Sequence, residues 1–443
     1  MASGWWLAEN RRRLTIPVSG CWRSRGIDDA GLTTAAKQGW QFDVNPVFSP
    51  DARRLAFVRL KASSNALFVQ RVSAALEPIG EPLAVLNDPR KDIASLAWPD
   101  NDSLVVALGG FVAPRHLERI PLSRGTIAPA GQPVLLPFGE RGIAITLSRT
   151  GRLVYSAALL DTNFWKLDVT RPTGELEDSG LDSSTLNEGS PDYSPSGDQV
   201  VFTSTRSGSE ELYISKTDGT GLRKITNMGG AQCSNAHWSP NGDWILFNSS
   251  REGSTDLYLV SPATLELQRI TTHPAEELEA QWSRDGEWIY FVSNRSGSFE
   301  IWKRPKNGVD ADATRMTYHG GADAQESIDK QFLYYARPGT PTEIWRRPAA
   351  GGEGVEEQRV VGGLSRPMNF VVVERGIYFI AVGDAPSKTS VAFFDFATGQ
   401  PKTLAWIGKT SWFGLTLSPD RRWLLFPTID REARDLMVVD GVR

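Results

Sequence analysis

Nine times along its 443 residues the chain places an aromatic or aliphatic residue before a Ser-Pro-Asp-Gly-like turn that leads into an apolar run, at intervals of 44 to 50 residues. The clearest copies are Tyr193-Ser194-Pro195-Ser196-Gly197, Trp238-Ser239-Pro240-Asn241-Gly242, Trp282-Ser283-Arg284-Asp285-Gly286 and Leu417-Ser418-Pro419-Asp420. Weaker ones stand at Phe48-Ser49-Pro50-Asp51, Trp98-Pro99-Asp100 and Leu147-Ser148-Arg149, and degenerate ones near Ile328 and Val372. A constant step of this size fits one four-stranded blade per repeat. The sequence therefore predicts an all-β protein, a β-propeller of four-stranded antiparallel blades with nine repeat units.

One repeat shows how the pattern makes a blade. Ala236-His237-Trp238 forms a short inner strand, and Ser239-Pro240-Asn241-Gly242 a tight turn in which Pro presets φ and Gly accepts a positive one. Trp244–Phe247, Asp256–Val260 and Leu267–Thr271 supply the second, third and outer strands, rich in β-branched and aromatic residues between turn formers. Trp288–Phe291 and Trp423–Phe426 are apolar at every position, as strands covered on both faces are. Two residues before the anchor stand Pro191, Ala236 and Ala280, small groups suited to blades tapering toward an axis. Arg206, Arg251 and Arg295, each followed two residues later by Gly, are expected to lock hairpins against Glu210, Glu211, Asp256 and Glu300.

A net charge of −4 offers no basic face for nucleic acid or anionic lipid. No stretch approaches the roughly 20 apolar residues of a membrane helix, and Met1–Arg13 has no signal-peptide core. As encoded the chain reads as cytoplasmic. Cys21 and Cys233 are too few for a disulfide framework or a thiolate metal site.

The units from Pro191 to Thr317 resemble TolB-like, WD40-like β-propeller repeats. Asp161–Leu167, Ser293–Lys303, Phe394–Gly399 and Leu417–Val439 extend the likeness to the propeller region of CadC-like transcriptional regulators. That resemblance implies a sensor propeller joined through a membrane helix to a winged-helix DNA-binding domain. Neither of those parts is legible in this chain, so DNA binding carries over to no residue. If the chain is the severed sensor part of a membrane regulator, a periplasmic or extracytoplasmic location is the alternative.

Nine units exceed the usual blade number of one ring. One arrangement gives residues 1–40 as an irregular N-terminal segment, 41–173 as three blades of a partial ring, and 174–443 as a six-bladed TolB-like propeller. In it, the last repeat ends on Asp435–Val439 as its third strand, and Glu175–Thr185 closes the ring. The rival is one eight- or nine-bladed ring closed by Asp28–Thr34. Exposed edges of an incomplete ring would favour self-association.

Catalytic signals are sparse. The chain has no Gly-x-Ser-x-Gly elbow and no His-Glu-x-x-His, and Gly408-Lys409-Thr410 lacks the earlier glycine of a phosphate loop. The histidines are the functional lead. His237, His273 and His319 fall in or after the connections between successive blades, which gather at one channel mouth. Glu276, Glu277, Glu279, Asp323, Gln325 and Glu326 accompany them. The candidate ligand-binding residues are His237, His273, Glu276, Glu277, Glu279, His319, Asp323 and Gln325; no catalytic residue, metal ligand or cofactor is assigned. The expected function is a non-catalytic binding, sensor or scaffold propeller for a protein, peptide or glycan. A metal-assisted lyase or hydrolase at the mouth, as in the pectin-degrading lyases on TolB-like propellers, is the alternative.

Overall fold

The computed structural model describes residues 42–60, 65–88, 92–109, 115–123, 126–171, 174–181, 184–339, 341–383 and 388–442. The expected irregular segment 1–40 and the strand-like Asp28–Thr34 lie outside the described residues. Among the described residues the regular structure is strand throughout, apart from one short helical turn at Asp310–Asp312.

The chain divides into two compact units, one running to Leu159 and taking in Ala433 onward, the other Leu160–Glu432. In the first, β1 (Phe42–Phe48), β2 (Arg54–Leu60), β3 (Asn65–Val72) and β4 (Pro78–Leu86) form one sheet. β5 (Asp92–Asp100), β6 (Ser103–Gly109), β7 (His116–Pro121) and β8 (Val134–Leu135) form the next. β9 (Gly142–Leu147) pairs with the start of β10 (Leu153–Asp168) in a third. The sheets pack face to face. Ala56, Val58, Leu67 and Val69 meet Leu96, Trp98, Leu104 and Val106, while Val105 and Ala107 on the far face meet Ile145, Leu153 and Tyr155.

The second unit opens with β11 (Leu176–Asp178), which pairs with the end of β10. Three four-stranded sheets follow. They are β12 (Glu188–Tyr193), β13 (Gln199–Ser204), β14 (Glu211–Lys216) and β15 (Arg223–Lys224); β16 (Cys233–Trp238), β17 (Ile245–Ser249), β18 (Asp256–Val260) and β19 (Leu267–Arg269); and β20 (Glu277–Trp282), β21 (Trp288–Ser293), β22 (Glu300–Pro305) and β23 (Thr314–Arg315). Next come β24 (Ala322–Glu326), β25 (Phe332–Arg337), β26 (Thr342–Pro348) and β27 (Gln358–Leu364), then β28 (Phe370–Val373), β29 (Gly376–Ala381), β30 (Ser390–Asp395) and β31 (Gln400–Trp406). A single pairing, Leu364 with Ala381, links these last two groups. β32 (Thr416–Leu417) and the start of β33 (Trp423–Val439) complete the unit, in the strand order β32, β33, β10, β11. The innermost strands touch in cyclic order, β12 on β16, then β20, β24, β28, β32 and back to β12. Asp435–Val439, expected in the last repeat, lies in the part of β33 that belongs to the first unit. The end of β10 takes the third-strand position beside β33 instead.

The repeated turn is built the same way in three successive sheets. Its serine hydroxyl accepts the N–H five residues on, as at Ser239–Trp244 (3.0 Å), Ser283–Trp288 (2.9 Å) and Ser327–Phe332 (3.0 Å), and donates to the Asp or Asn two residues on. Ser327-Ile328-Asp329 keeps this chemistry, so the anchor of that degenerate repeat is Glu326, two residues before the expected Ile328. The turns also interlock. A Cβ at Gly286, where φ is +73°, would lie 3.3 Å from Pro240 of the preceding turn, and Gly242 and Gly197 face Pro195 and Pro419 in the same way. Proline and glycine of the motif are thus partners between sheets as well as within a turn.

The expected hairpin ion pairs are rearranged into two tiers. Arg206 and Arg295 reach across to the inner-strand acids Glu188 and Glu277. The third-strand acids face outward instead: Asp256 binds Arg269 at 2.7 Å and Glu300 binds Arg315 at 2.9 Å. Thr317, two residues past β23, donates to Glu300 at 2.6 Å and accepts from the Ile301 N–H at 2.9 Å, and Thr226 serves Glu211 and Leu212 identically. These buried networks explain the apolar residue and Thr that follow β15, β19 and β23, at Ile225-Thr226, Ile270-Thr271 and Met316-Thr317.

Candidate functional site

The inner strands of the second unit carry a repeated irregularity that sets the site. β12, β16, β20 and β24 each bulge, at Ser190, Asn235, Glu279 and Asp323, whose φ values are 47°, 60°, 47° and 37°. Non-glycine residues seldom adopt this region, and a bulge redirects the side chain that carries it. Each bulged residue stands three before its anchor, and the Glu279 side chain serves the next sheet. Glu279 Oε2 accepts the Asp323 N–H at 3.0 Å. Asn369, at the same offset from Val372, accepts the Gly414 N–H at 2.8 Å and donates to the Trp412 carbonyl at 2.9 Å.

A second polar column stands one residue before the anchors. Asp192 accepts the Trp238 N–H at 2.9 Å through Oδ2 and the Thr416 hydroxyl at 3.0 Å through Oδ1. Gln325 donates to the Phe370 carbonyl at 2.8 Å and accepts the Val372 N–H at 3.1 Å. Between them His237 Nδ1 lies 3.6 Å from Asp192 Oδ2 and 3.4 Å from Gln281 Nε2. Side chains from five inner strands therefore meet where the sheets converge.

Burial dominates the electrostatics of this cluster. It pushes the Glu279 carboxyl up to about 7, with the Asp323 N–H pulling the other way. Asp323 is likewise pushed up to about 7 by burial, opposed by the His237 charge and reinforced by that of Glu279. Burial acts to lower His237, yet the Asp192 hydrogen bond and the charges of Asp192 and Asp323 outweigh it and raise the imidazole. Acids that take protons near neutrality beside a raised histidine can share protons. Among the described residues no group of three or more His, Cys, Asp or Glu side chains is arranged to hold a metal ion.

The structure brings together His237, Glu279, Asp323 and Gln325 of the expected set. It does not bring the others to them. Glu276 accepts the Thr255 N–H at 3.0 Å, and Glu277 is taken by Arg295 in its own sheet. His273 is half-buried on the connection before β20, where Nδ1 accepts the Ala275 N–H at 3.0 Å and burial and Arg295 lower its pKa. His319 is exposed on the connection before β24. Asp192, Gln281, Asn369 and Thr416 were missed. Their signal was a polar residue at a fixed offset from each anchor, which composition and histidine position do not report.

The connections that return from each outer strand to the next inner strand come back at one end of the sheets, because every sheet runs antiparallel from its inner strand outward. Arg366, on the connection before β28, lies over the rings of Trp412 at 4.9 Å and Phe413 at 4.3 Å on the connection before β32. Its Nε donates to the Ser411 carbonyl at 3.3 Å, and burial lowers its pKa to about 10. A Cβ at Gly189, at the head of β12, would stand 3.2 Å from Trp412. Arg315, at the end of β23, lies 4.5 Å from the ring of Tyr318, which precedes His319 on the connection before β24.

Repeating four-stranded antiparallel sheets whose inner strands close on one another define a β-propeller. Residues 177–263 and 233–340 match the TolB beta propeller domain, and the chain carries a propeller of that TolB-like type. A chain described as TolB from Agrobacterium tumefaciens is 17% identical, covering 61% of this chain and 99% of its own, with a TM-score of 0.49. TolB from Acinetobacter baumannii is 13% identical over 79% of this chain and 82% of its own, with a TM-score of 0.42. An oligogalacturonate lyase in complex with manganese is 16% identical over 66% and 85%, with a TM-score of 0.31.

Proposed function

We propose that the chain is a non-catalytic binding propeller that recognises a protein or peptide at the mouth formed by the inter-sheet connections of its second unit. In this reading Leu160–Glu432 is a six-bladed ring in which β32 and β33 are joined by β10 and β11, and the first unit is a partial ring of three blades. The observation that carries it is the Arg366–Trp412–Phe413 cluster at that mouth. Tryptophan, tyrosine and arginine are the side chains that most often anchor protein interfaces. Beneath them Asp192, Gln325 and Asn369 are committed to bonds between sheets, which supports binding over chemistry. A sensor role of the kind implied by the likeness to CadC-like regulators is one form this binding would take.

Affinity capture from lysate of the native host tests it, with the tagged chain compared against Trp412→Ala and Arg366→Ala. A stoichiometric protein captured by the parent and lost from both variants supports the mouth as the interface. A partner retained by both variants, or recovery of the chain alone, overturns it.

A further inference from the structure

A cleft of about 370 Å³ opens in the second unit between the sheet of β12–β15 and the sheet in which β33 pairs with the end of β10. It lies beside Ser196-Gly197 and Ser418-Pro419-Asp420 of two repeated turns, at the end of the inner strands away from the connections that form the mouth. Its volume falls within the roughly 300–1,000 Å³ of small-molecule sites. At the next two junctions between sheets the anchor is a tryptophan, and Trp238 and Trp282 are both buried in their cores. Here the anchor is Tyr193, a smaller ring that is only part-buried. Leu181, Val200 and Leu425 give the cleft its apolar lining and belong to one buried cluster, against which Tyr193 packs.

Two hydroxyls of the cleft have protons to give. Among the described residues the Tyr193 hydroxyl has no hydrogen-bond partner. Burial first, and then the charge of Asp420, raise its pKa, so the proton stays on the oxygen. Ser179 is 6% exposed and accepts the Leu181 N–H at 3.1 Å, and none of the described residues accepts its own proton. A buried donor left unmet is costly, and a ligand oxygen would meet it. Two charged groups complete the walls. Lys166 Nζ stands 5.0 Å over the Trp423 ring and 3.9 Å from Glu177 Oε2, and Asp420 Oδ1 accepts the Arg422 N–H at 3.1 Å. Those contacts hold both groups in place. An ammonium has three protons and a carboxylate about four lone-pair sites, so each can make a further bond without breaking one.

We propose that this cleft binds a neutral polyhydroxylated ring, one hexose unit of a saccharide. Each sugar hydroxyl both donates and accepts, which suits walls that offer two O–H donors, an ammonium and a carboxylate of cancelling charge. The C–H face of the ring would be buried against Tyr193 and Leu425. An anionic ligand would meet the charge of Asp420 and a cationic one that of Lys166. The site uses no residue of the mouth and stands apart from the functional reading.

The test uses the full chain, titrated with D-glucose, D-galactose and D-mannose and followed by saturation-transfer NMR and calorimetry. At least one hexose is expected to bind saturably and more tightly than inorganic phosphate. Ser179→Ala is expected to raise its Kd roughly three- to ten-fold, the effect of one lost hydrogen bond, and Tyr193→Phe to do the same while keeping the ring. Tyr193→Trp installs the anchor that the next two sheets already carry, and is expected to abolish binding by filling the cleft. Melting curves confirm that each variant folds. No saturable binding of any of the three sugars overturns the proposal, as does tighter binding of phosphate, or a Kd that Ser179→Ala and Tyr193→Phe leave unchanged.

Discussion

Replacing Glu279 by Gln isolates the protonation chemistry of the converging inner strands. Glu279 is 5% exposed and its carboxyl is pushed to about 7 by burial, from an ordinary value of 4.5. The folded state therefore holds a proton that the unfolded chain has already released. This contribution is fully present below pH ~4.5 and is lost as pH rises through ~7. At about 1.4 kcal/mol per pKa unit, the shift costs the fold about 2–3 kcal/mol between pH 5 and 8. For a unit of this size that is on the order of 5–10 °C in melting temperature. Glutamine stays neutral throughout and its amide oxygen still accepts the Asp323 N–H that Glu279 holds at 3.0 Å. Glu279→Gln should accordingly narrow the gap between melting temperatures at pH 5 and pH 8 by most of that amount. Asp323 and His237, both raised, act in the same direction and leave a residual slope. Differential scanning calorimetry of parent and variant across pH 5–8 decides it. Parallel pH profiles, or a parent more stable at pH 8 than at pH 5, would refute a proton-bearing Glu279.

Gly286→Ala should destabilise the second unit by about 1–2 kcal/mol, because alanine is strained at φ +73° and its Cβ presses on Pro240; urea midpoints measure it. Thr317→Val removes the hydroxyl that serves both Glu300 and the Ile301 N–H, and should cost about 1–3 kcal/mol by leaving buried polar groups unmet. Calorimetry would show a cost near zero if those bonds were dispensable. Ser283→Ala, which opens the bonds to Trp288 N–H and Asp285, should lose about 1 kcal/mol by chemical denaturation. It should also return Asp285, held well below the ordinary carboxylate range first by Ser283 and then by Lys330, toward normal titration in NMR.

The cleanest strands in the sequence were those whose boundaries are set by local chemistry. Asp256–Val260 and the expected Ala236–Trp238 and Trp244–Phe247 segments coincide with or overlap β18, β16 and β17, because serine, proline and glycine fix each turn within a few residues. The candidate site was half legible. His237 and Asp323 stood out as rare or charged groups near anchors, but the partners that give them their environment, Asp192 and Gln281, are separated from His237 by one repeat on either side. Glu277 was misread for the opposite reason: a charge on a strand looked available until Arg295 was found folded back onto it.

By itself the sequence determined that the chain makes repeated four-stranded sheets, since turn chemistry and short apolar runs act over a handful of neighbouring residues and recur every 44 to 50. Only the tertiary structure decided which strands complete which sheet. β10 and β33 each run long enough to serve both units, so Asp435–Val439 follows its pairing partner and not its repeat. Only the tertiary structure, too, decided that Glu279 and Asp323 hold protons near pH 7, because desolvation depends on every sheet that closes around a carboxyl and on no residue beside it in the chain.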